Sequence, residues 1–240
     1  MANMLNKPEL LRDDGKRLDG RDLDELRPLS IKANVLKNAA GSAYTEWGNN
    51  KVLAAVYGPK EVVPRHFLDP ERAVIKCRYA MAPFSSLSDH GRSGPNRRAI
   101  EISKVTKEVF DNVVMLEEFP ETAIEISIEI LQSDGGTRAA GITTAAVALA
   151  NAGIPMKDLV YSVSAGKIKD KIILDLDMLE DNYSDADMPV AVSPRTGNIL
   201  LLQMDGELTR QELNLGLDTI LEAGKQISKI QRQALIDVYE

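Results

Sequence analysis

Thr122-Ala-Ile-Glu-Ile-Ser-Ile-Glu-Ile-Leu131, running on through Gln132-Ser-Asp-Gly-Gly-Thr-Arg138, is the stretch that decides the fold of this chain. Ile124, Ile126, Ile128 and Ile130 alternate with Glu125, Ser127 and Glu129, and a period of two marks a strand with one buried face. Ser133 to Arg138 breaks the alternation. An alanine-rich segment from about Ala139 to Asn151 then reads as a helix that stops at Gly153, with Pro155 just beyond. A strand that turns through two glycines into a helix implies a mixed α and β architecture.

Working outward from this stretch, Tyr161 to Ala165 and Lys171 to Asp175 read as a hairpin. Met188 to Ser193 and Asn198 to Met204 form a second pair, joined through Pro194-Arg-Thr-Gly197. Thr209 and Glu212 have the spacing of a capping box that opens a long C-terminal helix. Toward the N-terminus, Gly41 to Trp47 and Lys51 to Tyr57 are strand-like and flank the tight turn Gly48-Asn49-Asn50. A loop with Pro59, Pro64 and Pro70 leads to a strand around Ala73 to Ala80. Residues Ser85 to Asn96 are rich in Gly, Ser and Pro and read as a surface loop. Asn96 is placed to cap a helix reaching about Met115, with Ile102, Val105, Val109 and Val113 as its buried stripe. The residues up to about Arg27 read as an arm with a turn at Leu18-Asp-Gly-Arg21. Strand, Gly-Asn turn, strand occurs at 41–57 and is echoed at 188–204. The chain is therefore read as one α+β unit over residues 1–240, built from two similar β-rich halves with helices packed on the sheets.

The 240 residues are 44% hydrophobic and 27% charged, ordinary for a folded soluble protein. A single cysteine, Cys77, allows no internal disulfide and no multi-cysteine zinc site, which fits a reducing, cytoplasmic setting. The arm is dense in charge, so no secretory signal is expected there, and no stretch is long and apolar enough to span a bilayer. The net charge of −7 argues against a protein that coats nucleic acid indiscriminately, and directs attention to where the basic residues lie.

Three clusters carry chemistry. In Gly135-Gly136-Thr137-Arg138, glycines let backbone N–H groups approach an oxyanion, Thr137 offers a hydroxyl and Arg138 a bidentate fork. The plain alternative is a strand-to-helix turn with a solubilising arginine. A cation at a helix start opposes the macrodipole, which favours an anion nearby. His90 to Arg98 holds Arg92, Arg97 and Arg98 and no acid, again at a helix start. Pairing of Arg98 with Glu101 would absorb one of these charges; a phosphate or RNA backbone would absorb all three. Asp175, Asp177, Glu180, Asp181, Asp185 and Asp187 put six carboxylates in thirteen residues with no Lys or Arg between Ile172 and Val190. Such a run is either a solvated loop or a group gathered around a cation or proton, and oxygen ligands of this kind suit Mg²⁺. No Walker loop or dinucleotide fingerprint is present. Phosphate handling by arginines and carboxylates points to phosphoryl transfer through positioning and charge stabilisation.

Gly15-Lys-Arg-Leu-Asp-Gly-Arg21, Gly94-Pro-Asn-Arg-Arg98, Ser133-Asp-Gly-Gly-Thr-Arg138 and Glu180-Asp181 with Ala186-Asp187-Met-Pro189 together resemble the RNase PH family, in the right order and over nearly the whole chain. Within it the chain is similar to the catalytic RNase PH-type subunits of the archaeal exosome ring. The resemblance implies the RNase PH fold, related to the second domain of ribosomal protein S5. It implies processive 3′→5′ phosphorolysis of RNA to nucleoside diphosphates, with a reverse reaction that adds 3′ tails. On matched motifs, Gly136, Thr137 and Arg138 would hold the attacking inorganic phosphate, and Arg97 and Arg98 the RNA backbone. Asp181 would be the general acid or an electrostatic organiser, and Asp187 the Mg²⁺ ligand, with Asp181 beside it. Arg65, in Pro64-Arg-His-Phe67, would contact RNA toward the ring's interior. Thr137 stands where serine is common in the family and keeps the hydroxyl. The implied partners are single-stranded RNA, an inactive RNase PH-type paralogue alternating in a hexameric ring (a trimer of heterodimers), and RNA-binding cap proteins of S1/KH type. Two alternatives are a homohexameric bacterial-type RNase PH trimming tRNA ends, and a non-catalytic ring subunit that only binds RNA.

Overall fold

The isoleucine alternation forms a strand over Thr122–Gln132, and its four isoleucines are almost wholly removed from solvent. The structure, a computed structural model, describes residues 8–86 and 96–240. In chain order the elements are β1 (Leu29–Ala33), β2 (Gly41–Trp47), β3 (Asn50–Glu61), β4 (Val74–Met81), α1 (Arg97–Val113), β5 (Thr122–Gln132), α2 (Thr137–Asn151), β6 (Tyr161–Ile168), β7 (Lys171–Leu174), α3 (Met178–Tyr183), β8 (Ala186–Val192), β9 (Ile199–Leu202), β10 (Asp205–Gly206) and α4 (Arg210–Ile236).

The first sheet has the order β1-β2-β3-β5-β4. Its pairs are antiparallel except β4 with β5, which run parallel. A parallel pair needs a crossover, and α1 supplies it. Asn96 caps α1 by accepting from the Ala99 N–H at 2.7 Å. The second sheet runs β10-β8-β6-β7 with β9 added on β8, all antiparallel. Between the sheets lies α2, touching β2, β3 and β5 on one side and β6 and β8 on the other. That position explains its composition. A helix buried all round must be apolar all round, and its Ala, Gly and Thr residues let both sheets approach. α4 packs on β6 and β7 of the second sheet and reaches β1 of the first, with the Thr209–Glu212 capping box formed at its start. It lies so close that a Cβ on Gly224 would sit 2.0 Å from Cζ of Tyr161. One apolar cluster runs through both halves, from Trp47, Phe110 and Ile128 to Val163, Val190 and Ile227.

Several details depart from the sequence reading. The buried stripe of α1 runs through Ile102, Thr106, Val109, Phe110 and Val113, while Val105 is only half-buried at its margin. β1 and β10 are strands that alternation over so few residues did not reveal. In the Gly48-Asn49 turn only Gly48 takes a positive φ, +57°. The second strand of the 161–175 hairpin stops at Leu174 because Asp175 turns into the left-handed region, φ +55°, and buries its side chain. The acidic run contains a short helix, α3. Arg92 and the Gly94-Pro95 part of its motif lie outside the described residues.

Candidate active site

β5 delivers the chain to the glycine turn at one end of the first sheet. Gly135 and Gly136 both adopt left-handed φ, +70° and +67°, which costs side-chain-bearing residues dearly. At Gly135 space is a second constraint, since a Cβ there would lie 2.5 Å from the backbone carbon of Asp177. The turn is braced from behind. The Asn50 side-chain amide donates to the Gly135 carbonyl at 2.7 Å, and its oxygen accepts the Asp134 N–H at 2.6 Å. Arg27 donates to the carbonyls of Asp134 and Gly135. Gly136 is the N-cap of α2 and brings no side chain to the first-turn N–H groups. These groups are unsatisfied within the helix and carry its positive pole.

Thr137 Oγ1 accepts from the hydroxyl of buried Tyr79 at 2.9 Å, which leaves the threonine proton free to be donated. Arg138 is fixed rather than loose. It donates to Gln203 and lies 3.2 Å from the Glu101 carboxylate, while Gln203 donates to Glu101 at 2.9 Å. Its Nε is buried without a partner among the described residues.

Opposite this turn stands the acidic segment. Asp177 caps α3 in a capping box with Glu180, and the next residue, Asp181, lines the cleft. Asp187 sits in β8, paired with Gly166 on one side and Asp205 on the other. Burial, then the neighbouring Asp181 carboxylate, pushes the Asp187 carboxyl up to about 7, and Oδ1 has no partner among the described residues. Asp181 is open to the cleft yet surrounded by protein, and burial raises its carboxyl too, against the pull of Arg98 and Arg138. The cleft between these walls measures about 520 Å³. Gly136, Thr137, Arg138, Arg98, Asp181 and Asp187 all face it.

The six acids of the run thus divide. Asp175 and Glu180 take no part in the cleft: they are 3% and 2% exposed and bound by arginines of the N-terminal arm. The cation inferred for the run is, for these two, Arg17 and Arg27. Asp177 is a helix cap, and Asp185 accepts from the Lys169 N–H at 3.0 Å. Of the run, Asp181, Asp185 and Asp187 line the cleft with Arg138, and of these three burial raises the carboxyls of Asp181 and Asp187. Arg98 joins them, near enough to act on both Tyr79 and Asp181. Arg97, its neighbour, is exposed and does not line the cleft, and Glu101 pairs with Arg138 rather than Arg98. Arg65 is elsewhere. It follows Glu61, which pairs with Thr122 at the opposite end of β5, roughly 30 Å from the glycine turn. Its side chain is 85% exposed and paired with Glu61. Sequence reasoning did not find Arg17, Arg27, Asn50, Tyr79 or Gln203, and it offered Glu101 only as a partner for Arg98. Only the two arginines had a signal, the Gly15–Arg21 motif and the charge of the arm.

No group of three or more His, Cys, Asp or Glu among the described residues forms a ready metal cage. The Asp181–Asp187 pair nevertheless suits Mg²⁺, which takes one or two carboxylates and completes its shell with water and substrate phosphate oxygens. The orphaned Asp187 Oδ1, next to a second carboxylate, is the observation that fits.

Comparison with known proteins follows the same lines. The family model described as "3' exoribonuclease family, domain 1" matches residues 25–155, and that of "3' exoribonuclease family, domain 2" matches residues 158–222. The chain is 52% identical over 235 residues to "Exosome complex component Rrp41" of Thermoplasma acidophilum, spanning 98% of this chain and 94% of that protein. Identity to the Pyrococcus furiosus protein of the same name is 52% over 239 residues, 98% and 95% of the two chains. Among solved structures, rice Rrp46 superposes with a TM-score of 0.82 at 27% identity, covering 91% of this chain and 99% of that one. A chain of the Archaeoglobus fulgidus exosome with RNA bound to the active site shares the fold at a TM-score of 0.78 and 24% identity, covering 90% and 92%.

Proposed function

This chain belongs to the 3′ exoribonuclease family of RNase PH type, and from that premise we propose that it is the catalytic subunit of an exosome ring, shortening RNA from its 3′ end with inorganic phosphate. The observation that carries the reading is the cleft in which the Gly136–Arg138 helix start faces Asp181 and Asp187. A non-catalytic RNA-binding subunit has no need of two carboxylates pushed above their ordinary range opposite an anion cradle.

The residues divide the work. The first-turn N–H groups of α2, the Thr137 hydroxyl and the Arg138 guanidinium hold inorganic phosphate. Arg98 holds the last phosphodiester of the RNA, and Arg97 and the distant Arg65 bind backbone further along the strand. A phosphate oxygen attacks the phosphorus of the terminal phosphodiester, and the bond to the 3′ oxygen of the preceding nucleotide breaks. The products are a nucleoside 5′-diphosphate and an RNA one nucleotide shorter. The departing 3′ oxygen takes a proton, and Asp181, a cleft-lining carboxyl that burial raises above the usual carboxylate range, is the group placed to give it. Asp187, with Asp181 beside it, would hold Mg²⁺, which supplies charge compensation for the phosphate oxygens. Run backwards, the same groups add nucleotides from diphosphates.

The chain acts as one unit over residues 1–240, in the cytoplasm, where a lone thiol such as Cys77 stays reduced. Its partners are single-stranded RNA, an inactive paralogue alternating with it in a hexameric ring, and S1/KH-type cap proteins. Incubating the protein and its paralogue with a labelled oligoribonucleotide, phosphate and Mg²⁺ tests the reading. Nucleoside diphosphates released only when phosphate is present are the expected products; monophosphates released without phosphate would overturn it. Activity of the purified chain alone as a homohexamer would instead favour the tRNA-trimming type of enzyme.

A further inference from the structure

The arm preceding β1 enters the molecule rather than lying on it. Arg17 is fully buried, and its guanidinium donates to Glu180 Oε1 at 2.7 Å, to Glu180 Oε2, to the Leu174 carbonyl at 2.5 Å and to the Asp175 carbonyl at 2.9 Å. Glu180 Oε2 also accepts the Asp177 N–H at 2.9 Å, so the same carboxylate closes the capping box of α3. Asp181 is the next residue. Any rotation of α3 that carries Asp181 out of the cleft must therefore break the contacts of a buried guanidinium.

Ten residues on, Arg27 does the same for the other wall. Asp175 Oδ1 accepts its Nη2 at 2.6 Å, and Asp175 Oδ2 accepts its Nε at 3.1 Å and its backbone N–H at 2.8 Å. The Trp47 indole N–H supplies a further donor to Oδ2 at 2.9 Å. The remaining N–H groups of Arg27 reach the carbonyls of Asp134 and Gly135, the base of the phosphate turn. Asn50 grips the same two residues from the first sheet. Asp175 lies between the two arginines, its carbonyl bound by Arg17 and its carboxylate by Arg27. The two walls of the cleft are thus referenced to one buried residue. A rigid, fully hydrogen-bonded guanidinium is suited to such a role, because its planar fork fixes direction as well as distance.

We propose that the N-terminal arm is a positioning element of the active site: Arg27, with Asn50, sets the phosphate-binding turn, and Arg17, through Glu180, sets α3 and hence Asp181. None of the three touches substrate. Each acts through a group that does. The proposal rests on reading residues 136–138 as the phosphate site, and it divides the labour in a way that bulk stability would not. Displacing the turn weakens phosphate binding, whereas displacing Asp181 slows the chemical step.

The test uses Arg27→Lys, Asn50→Ala and Arg17→Lys, each assembled into the ring with its partner subunits, with melting temperature and assembly recorded. Initial rates are measured against phosphate concentration at saturating RNA. For Arg27→Lys and Asn50→Ala the expected result is a KM for phosphate raised about 10- to 100-fold, the cost of a misplacement near 1 Å, with kcat changed far less. For Arg17→Lys it is the reverse, a fallen kcat with the KM for phosphate kept. Should Arg27→Lys fail to assemble, Asn50→Ala decides, since Asn50 grips the turn without touching the arm. Assembled variants with unaltered kinetics would overturn the proposal. So would all three variants losing kcat alone in step with their melting temperature, or failure of both turn variants to assemble. The underlying phosphate reading fails differently, through a rate in the unaltered enzyme that ignores phosphate.

Discussion

Asp175 and Glu180 share one short stretch of chain with Asp181 and Asp187, and the two pairs have opposite surroundings. The first pair is sealed inside with arginines. Burial alone would push Asp175 up, but Arg27, through charge and hydrogen bonds, and then Arg21 hold its carboxyl below the usual range. The second pair is partly enclosed, has no arginine bonded directly to it among the described residues, and is pushed up instead. Burial pushes Asp175, Asp181 and Asp187 in the same upward direction, so burial by itself does not decide what an acid does. The deciding difference is whether the fold supplies a fixed cation. Where it does, the acid is part of the scaffold. Where it does not, the acid is left wanting a proton or a metal, which is what a reacting group needs.

The largest effect that tests this contrast is on turnover. Asp181→Ala removes a group used only in the reaction step, so phosphorolysis should fall by about 10²- to 10⁴-fold. RNA affinity and melting temperature should stay close to those of the parent. Diphosphate release at near-parental rate would place Asp181 with the scaffold acids. Asp175→Ala should do the converse. It strands Arg27 and part of Arg21 in the interior, and breaking a buried pair costs about 3–5 kcal/mol. For a chain of this size that is a drop on the order of 10 °C in melting temperature. Because the native pKa of Asp175 is depressed, its contribution is present above the unfolded value of 3.8 and is lost as pH falls through the lower native value. An Asp175→Ala protein that melts like the parent at pH 7 would break the comparison.

Asp187 carries the opposite sign. Its native pKa of about 7 lies above the ordinary aspartate value of 3.8, so ionisation favours the unfolded chain, and the penalty grows as pH rises from about 4 to 7 before levelling off. Asp187→Asn removes that penalty. Without divalent cations the variant should be more stable than the parent at pH 8, by up to about 4 kcal/mol, the upper limit set by a shift near three units. The gain should shrink toward pH 4. A constant difference across that range would show that the carboxyl titrates normally.

How much of this was legible in the residues follows from the range of the interactions concerned. The isoleucine strand, the Asn96 cap and the Thr209–Glu212 box were readable because each is set by neighbours within a few positions. So was the glycine turn, where backbone conformation dictates residue type. The scaffold acids were not. Glu180 and Asp181 are adjacent and both acidic, and only contact with Arg17, 163 residues away, distinguishes the buried one from the reacting one. The same holds for Glu101, whose partner proved to be Arg138 across the cleft rather than Arg98 on its own helix.

The smallest predicted effect separates two arginines that the sequence treated alike. Arg97 and Arg98 follow one another at the start of α1, but only Arg98 lines the cleft and acts electrostatically on Asp181. Arg97→Gln should therefore behave as loss of one exposed backbone contact. RNA affinity falls modestly, and the slope of log affinity against log salt becomes shallower by about 0.7, the value for one neutralised phosphate on a single strand. Arg98→Gln should lose the same slope and, in addition, alter the pH dependence of turnover. Arg98 lowers the pKa of Asp181, so removing it raises that pKa and moves the alkaline limb of the rate profile to higher pH. Measuring binding across salt and turnover across pH for both variants settles the matter. If Arg97→Gln shifts the pH profile as Arg98→Gln does, the cleft extends past Arg98 and the border drawn here between strand binding and chemistry lies in the wrong place.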